Sequence, residues 1–264
     1  MSAKLKVNKL QNGLGARSFG RTIFYSSNVD STNKWAKELA MYGACEGTVV
    51  IAETQTMGTG RLGRQWFSPT GGLWFSLILR PNLCPAETIQ LTFVSGLAVT
   101  RVLREMFGLK AETKWPNDVL VKGRKICGIL AEMNTTGENV NFVVVGVGVN
   151  ANCSVEKLFP EQLKKVATSI ENELGRKVQL EELFKALLEQ LENLYELFIN
   201  EGFDPIREEW KKYASFLGRR VKITSQTREV SGLALEIDHD GALVLRLEDG
   251  TEKRFFIGDV SLQA

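Results

Sequence analysis

Residues 58 to 66 read Gly58-Thr59-Gly60-Arg61-Leu62-Gly63-Arg64-Gln65-Trp66. The glycines let backbone N–H groups come close to a ligand and permit positive φ. Arg61 and Arg64 offer forked donors matched to phosphate or carboxylate. Trp66 supplies a flat apolar face on which a base can stack. The set predicts a loop that folds over an acidic, nucleotide-like ligand. It is not a P-loop, because no Gly-Lys-Ser/Thr follows the last glycine. Nor is it a dinucleotide fingerprint, because the third glycine leads into Arg-Gln-Trp and not into an apolar helix.

A second cluster is Lys114-Trp115-Pro116-Asn117-Asp118, followed by Arg124-Lys125-Ile126-Cys127-Gly128. Pro116 restricts Trp115 to extended conformations and marks a turn between strands. Asn117 and Asp118 can bond their own backbone there. Two lysines and one aspartate near a turn suit a phosphate and its Mg²⁺; they also suit an ordinary charged hairpin. A third element, Val143 to Asn150, is an apolar strand ending in Gly146, Gly148 and Asn150. Asn150 could read a base edge or a phosphate, although many core strands end this way.

Whole-chain numbers narrow the chemistry. Lys and Arg total 33 and Asp and Glu 31, a net charge of +2, which gives no general case for nucleic acid or membrane binding. The single histidine, His239, stands between Asp238 and Asp240 and reads as a turn residue. Serine or cysteine triads and histidine zinc sites are thereby disfavoured. Cys45, Cys84, Cys127 and Cys153 are dispersed, with no Cys-x-x-Cys pair. No apolar run is long enough to span a bilayer, and the start lacks a signal-peptide core. The expected location is the cytoplasm. The metal ligands stay unknown at this point.

The elements that must position these residues follow from periodicity. Residues 1–20 read as an N-terminal arm. Strands are predicted at 22–25, 47–52 and 72–79, with a helix capped by Asp30-Ser31-Thr32-Asn33 between the first two. A long amphipathic helix is predicted over 87–107. Strands follow near 110–114, 118–122, 126–133 and 141–149, then helices at 155–174, 179–200 and 203–215. These blocks predict an α+β domain over 21–215, a mixed central sheet with helices on one face. From 216 to 264, short alternating runs separated by Asp240-Gly241 and Asp249-Gly250 predict a small SH3-like β-barrel.

Taken together, the three clusters in this order resemble biotin protein ligases. The matching stretches are Asp30 to Asn33, Gln55 to Trp66, Lys114 to Asp118, Arg124 to Leu130 and Gly146 to Asn150, within about residues 22–262. The resemblance implies a catalytic fold of the class II synthetase-like kind. It also implies a two-step reaction. Biotin and ATP form biotinyl-5′-AMP, and the biotinyl group passes to a lysine of the biotin carboxyl carrier protein of a biotin-dependent carboxylase. ATP and Mg²⁺ would serve as cofactors.

By that resemblance, the catalytic residues would be Lys125, Arg61, Lys114 and Asp118. Ser31, Thr32, Asn33, Gln55, Thr59, Gly60, Arg61 and Lys125 would bind biotin. Gly58, Arg64, Trp66, Asn117 and Asn150 would meet ATP or the adenylate, with Trp66 covering the adenine. Homodimerisation is common in such proteins, often through edge strands of the central sheet. Many members carry arginine where this chain has Thr59, so one phosphate-side charge is missing. Some relatives also carry an N-terminal helix-turn-helix. The residues before Phe24 are too few for one, so a ligase without DNA binding is expected.

Rival readings are a lipoate ligase or octanoyltransferase on the same fold, a DNA-binding regulator, and a plain SH3-like adaptor. Ordering a nine-residue loop costs up to roughly 9–18 kcal/mol. Charged hydrogen bonds return about 1.5–3 kcal/mol each. A glycine loop that is mobile when empty and closes on ligand is therefore expected, unless it is already partly shaped.

Overall fold

The computed structural model describes residue 10, residues 13–225 and residues 229–262. Seven strands form the central sheet, in the order β1-β2-β3-β7-β6-β5-β4. They are β1 (Ile23–Ser26), β2 (Val49–Ala52), β3 (Leu73–Leu79), β4 (Ala111–Lys114), β5 (Asp118–Val121), β6 (Arg124–Thr136) and β7 (Asn139–Val149). Only β1 and β2 pair in parallel. Helix α1 (Thr32–Met41) makes the crossover that this pair requires.

Side-chain alternation splits the sheet into two unlike faces. Leu73, Phe75, Leu77 and Leu79 of β3 point into the main core, with Val143, Val145, Val147 and Val149 of β7. Three long helices cover that face: α2 (Gln90–Phe107), α3 (Leu180–Glu201) and α4 (Phe203–Lys212). Val50, Ile78 and Val144 point the other way, against Ala36 and Ala40 of α1. The long helices thus share one face, as the sequence predicts, while the shorter α1 lies on the opposite one. Beyond α1 that second face carries Ser76, Gly128, Gly146 and Gly148 in place of large apolar side chains.

The single helix expected over 155–174 is instead three short ones, Val155–Leu158, Glu161–Lys164 and Ile170–Leu174. Pro160 cannot donate into a continuing helix. Ser169 starts the third piece by accepting the Asn172 N–H at 3.1 Å. Of the N-terminal arm, residues 1–9, 11 and 12 lie outside the described residues. Leu10, Ala16 and Phe19 are buried in the main core. The Glu192 carboxylate of α3 accepts from the N–H groups of Ser18 at 2.6 Å and Phe19 at 3.0 Å, from the Ser18 hydroxyl, and from the Arg17 N–H.

A second, antiparallel sheet follows: β8 (Arg220–Thr224), β9 (Glu229–Ile237), β10 (Leu243–Arg246), β11 (Glu252–Phe255) and β12 (Asp259–Leu262), in the order β11-β10-β9-β8-β12. Among the described residues, the end strands β11 and β12 of this SH3-like sheet do not pair with each other, so no closed barrel is formed there. Val221, Ile223, Ile237, Leu243 and Val260 join the main core. Trp115 adds a tie across the boundary, its indole N–H donating to the Gly241 carbonyl at 3.0 Å.

Candidate active site

Strand register builds the floor of the site. One row across the second face runs Val50, Ser76, Gly146, Leu130. The next runs Ala52, Trp74, Gly148, Gly128, Asp118, Lys114. The glycines make room for what lies above them. A Cβ on Gly148 would stand 2.5 Å from Trp66 Nε1, and one on Gly128 2.9 Å from the same ring. A Cβ on Gly146 would stand 2.1 Å from Asn33 Oδ1. Trp66 therefore lies on a floor of two glycines, edge-on to Trp74 at 6.3 Å.

Lys125 reaches this face because of a bulge. The register of β5 against β6 shifts between Val119 and Leu120, so Leu120 pairs with Lys125 and Val119 with Cys127. The extra residue, Ile126, stays in the core with Cys127, and Lys125 turns to the cavity side. Its ammonium pairs with Asp118 Oδ1 at 2.6 Å and sits 4.9 Å from the centre of the Trp66 ring. Segment 166–168 clamps its backbone, with Lys125 N donating to Val166 O at 2.8 Å and Thr168 N to Lys125 O at 2.9 Å. Asn150 Nδ2 donates to Thr168 O at 2.9 Å. Its buried Oδ1 has no hydrogen-bond partner among the described residues, so an acceptor is left for a ligand.

At the other end, α1 starts with Ser31 as its N-cap. Gln55 Oε1 accepts from Thr32 N at 2.8 Å and from its hydroxyl at 3.1 Å, and Gln55 Nε2 donates to Ser68 at 2.8 Å. The Ser76 hydroxyl stands within donating reach of both Asn33 Oδ1 at 2.6 Å and the Thr32 hydroxyl at 2.8 Å. This end is thus lined with hydroxyls and amides already held in place.

The glycine loop has a shape of its own. Trp66 N donates to Gly58 O, and Gly60 N to Arg64 O, both at 2.7 Å. Leu62 and Gly63 take φ of +57° and +71° at the turn. Arg61 Nη1 donates to Gly258 O at 3.3 Å and Asn117 Oδ1 at 3.4 Å. Burial pushes the Arg61 pKa below the usual arginine value, opposed by the charges of Asp259 and Asp118. Arg64 pairs closely with Asp259. Thr59 spends its hydroxyl on Met57 O at 3.0 Å.

These groups line one cavity of about 370 Å³. It gathers Ser31, Thr32, Asn33, Gln55, Thr59, Gly60, Arg61, Arg64, Trp66, Lys114, Asn117, Asp118, Lys125 and Asn150. Gly58 does not line it; a Cβ there would meet Trp66 O at 2.5 Å, so this glycine serves the loop's own closure. Asn117 is largely occupied by the sheet, its Nδ2 donating to Ile129 O at 2.7 Å. Sequence reasoning missed Asp259, which comes from the second sheet, and the apolar wall of Phe159, Leu163 and Val166. Asp238, His239 and Asp240 form a separate carboxylate–histidine cluster, but Arg254 already pairs with both aspartates.

A Biotin/lipoate A/B protein ligase family model matches residues 25–150, and a biotin protein ligase C-terminal domain model matches residues 216–263. The chain is 36% identical to the bifunctional ligase/repressor BirA of Bacillus subtilis over 260 residues, covering 98% of this chain and 79% of that one. It is also 36% identical to the biotin–[acetyl-CoA-carboxylase] ligase of Paracoccus denitrificans over 222 residues, or 83% and 92% of the two chains. Among solved structures it is similar to the biotin protein ligase from Aquifex aeolicus in complex with biotin and ATP. The TM-score there is 0.78 at 29% identity, covering 92% of this chain and 99% of that one. The glycine loop and the Lys-Trp-Pro-Asn-Asp run fall within the first matched range and the second sheet within the other: this chain is an enzyme of the biotin protein ligase family.

Proposed function

We propose that the chain activates biotin with ATP and transfers it to a lysine of a biotin carboxyl carrier protein. In the first step a biotin carboxylate oxygen attacks the α-phosphorus of ATP. The bond to the β-phosphate breaks, and pyrophosphate leaves. In the second step a carrier lysine amine attacks the acyl carbon of biotinyl-5′-AMP, loses its proton, and expels AMP.

Both substrates of the first step are anions, and they repel until cations bridge them. Arg61 and Lys125 would face the carboxylate and the α-phosphate, with Lys114 and Arg64 toward the leaving phosphates. Asp118 fits a Mg²⁺ role by donor type: it is a hard carboxylate lining the cavity, and Mg²⁺ typically takes one or two carboxylates plus substrate phosphates. When bound, the ion would share the phosphate charge. No protein nucleophile is required, which suits a site where positioning does most of the work.

The observation that carries this reading is the pairing of a cationic end with a polar end in one cavity. Lipoyl and octanoyl tails are apolar and would gain nothing from Ser31, Thr32, Gln55 and Asn33. The cyclic urea of biotin needs such groups, because unpaired buried amides cost free energy. The test is the mass of a carrier domain after incubation with enzyme, Mg-ATP and either biotin or lipoate. A gain of one biotinyl group with biotin only supports the proposal, and a gain with lipoate only overturns it.

The same reading keeps the cytoplasm as location, a homodimer as assembly state, and no DNA as partner. Sedimentation of the purified chain tests the dimer. Among the described residues, no helix is long and apolar enough to cross a membrane.

A further inference from the structure

Asn33 packs over Gly146 with its Oδ1 the nearest atom to the glycine, 6% exposed, with nearly all of its hydrogen-bonding capacity in use. Its Nδ2 group faces two acceptors, Glu132 Oε2 at 2.7 Å and Leu130 O at 3.3 Å. Its Oδ1 faces the Ser76 hydroxyl at 2.6 Å, whose single proton is shared between Asn33 and the Thr32 hydroxyl at 2.8 Å. Glu132 and Leu130 share the cavity face of β6, and Lys37, one turn along α1, pairs closely with the same Glu132 carboxylate. We propose that Glu132 is a positioning residue that fixes the Asn33 amide with its carbonyl toward the ligand, so that Asn33 accepts an N–H of the cyclic urea. The inference rests on the biotin reading of the cavity.

An ionised carboxylate only accepts hydrogen bonds. A flipped Asn33 would therefore set its carbonyl against Glu132 and the Leu130 carbonyl, two acceptors with no proton between them. Only one orientation is satisfied. It spends both Nδ2 protons on the protein and leaves one lone pair on Oδ1. Ser31 and Gln55 then supply the complementary kind of group. The Ser31 hydroxyl accepts from Lys34 N and keeps its own proton, and Gln55 Nε2 uses one proton on Ser68 and keeps another. A cyclic urea carries one carbonyl acceptor and two N–H donors. Donors at Ser31 and Gln55 with an acceptor at Asn33 match that pattern; an Asn33 turned the other way would not.

The Lys37 ammonium compensates the charge that this arrangement places beside the sheet. Replacing Glu132 with glutamine keeps the shape but lets the partner donate as well as accept, so the amide is free to flip.

The test measures Glu132→Gln and Glu132→Ala in biotin-dependent pyrophosphate exchange, with thermal stability recorded for each. The expected result is a KM for biotin raised about tenfold, the usual scale for one misdirected hydrogen bond, with kcat at saturating biotin and KM for ATP near wild type. Wild type should also reject a biotin methylated on a urea nitrogen more strongly than Glu132→Gln does. An unchanged KM for biotin in both variants overturns the proposal. So does a rise that comes with an equal rise in KM for ATP and a lowered Tm, since that marks a structural role. If wild type itself shows no biotin-dependent exchange, the ligase reading fails first; normal wild-type exchange with unaffected variants sinks the positioning role alone.

Discussion

Arg64 of the glycine loop pairs with Asp259 of β12, and the same carboxylate lies 3.8 Å from Arg61 Nη1. A residue of the second sheet thus occupies the two loop cations that we propose for the anionic ligand. The Arg64 side chain is 64% exposed, so the pair itself adds little stability, on the order of 0–1 kcal/mol. Asp259→Asn should leave Tm nearly unchanged and tighten pyrophosphate binding several-fold, as titration calorimetry would read. Weaker binding in this variant would mean that Asp259 supports the bound state and does not compete with it.

The loop's internal bonds change the expected cost of closing it. Trp66 N to Gly58 O and Gly60 N to Arg64 O are already made, so only part of the ordering entropy is left for the ligand to offset. Hydrogen exchange at residues 58–66 should be measurably slowed by biotin plus ATP, most at Arg61 to Gly63, which lie between those bonds. Equal protection with and without ligand would show a loop that does not close.

Gly148→Ala tests the floor. The new methyl would stand 2.5 Å from Trp66 Nε1 and 2.8 Å from Cε2. Overpacking of this kind costs about 1–3 kcal/mol. Urea denaturation should report that loss, and the displaced indole should raise KM for biotin and ATP together. A variant with wild-type stability and kinetics would mean that Trp66 shifts freely.

Glu192 gives a pH prediction. Burial works against its charge, but the Ser18 hydroxyl and the N–H groups of Arg17, Ser18 and Phe19 outweigh it and hold the carboxyl below its usual range. A depressed folded pKa means stability that is present above the unfolded value, about 4.3, and lost as pH falls through the folded value. Glu192→Gln should therefore be less stable than wild type at neutral pH by about 1–3 kcal/mol. The gap should narrow as the pH drops below that range. A gap independent of pH would rule out the ionised carboxylate as the tether.

Much of the architecture was legible because it rests on local patterns. The alternation in Leu73–Leu79, the spacing of Leu91, Val94, Ala98 and Val102, and the Asp-Gly turns each announce their element. The cation set was legible because Arg61, Arg64, Lys114 and Lys125 stand in short, unusual runs. What escaped depends on register and tertiary contact. The bulge at Ile126 that turns Lys125 to the cavity has no signature in Arg124-Lys125-Ile126-Cys127. Asp259 sits in an ordinary short strand, and only the docking of the second sheet brings it to Arg64. Asn33 was legible as a candidate and lines the cavity, yet its hydrogen-bond partners Ser76 and Glu132 needed the sheet register. Residues 17–19 gave no sign of their hydrogen bonds to Glu192, because that partner lies far along the chain.

The central claim is that Arg61 and Lys125 draw two mutually repelling anions into contact. Biotin-dependent pyrophosphate exchange by Arg61→Ala, Lys125→Ala and the double variant measures this most directly, with circular dichroism to confirm folding. Each single variant should lose about 10²–10³-fold in rate, the scale seen when one preorganised charge stabiliser is removed. The double variant should fall to background while remaining folded. Exchange near the wild-type rate in the folded double variant would contradict the account.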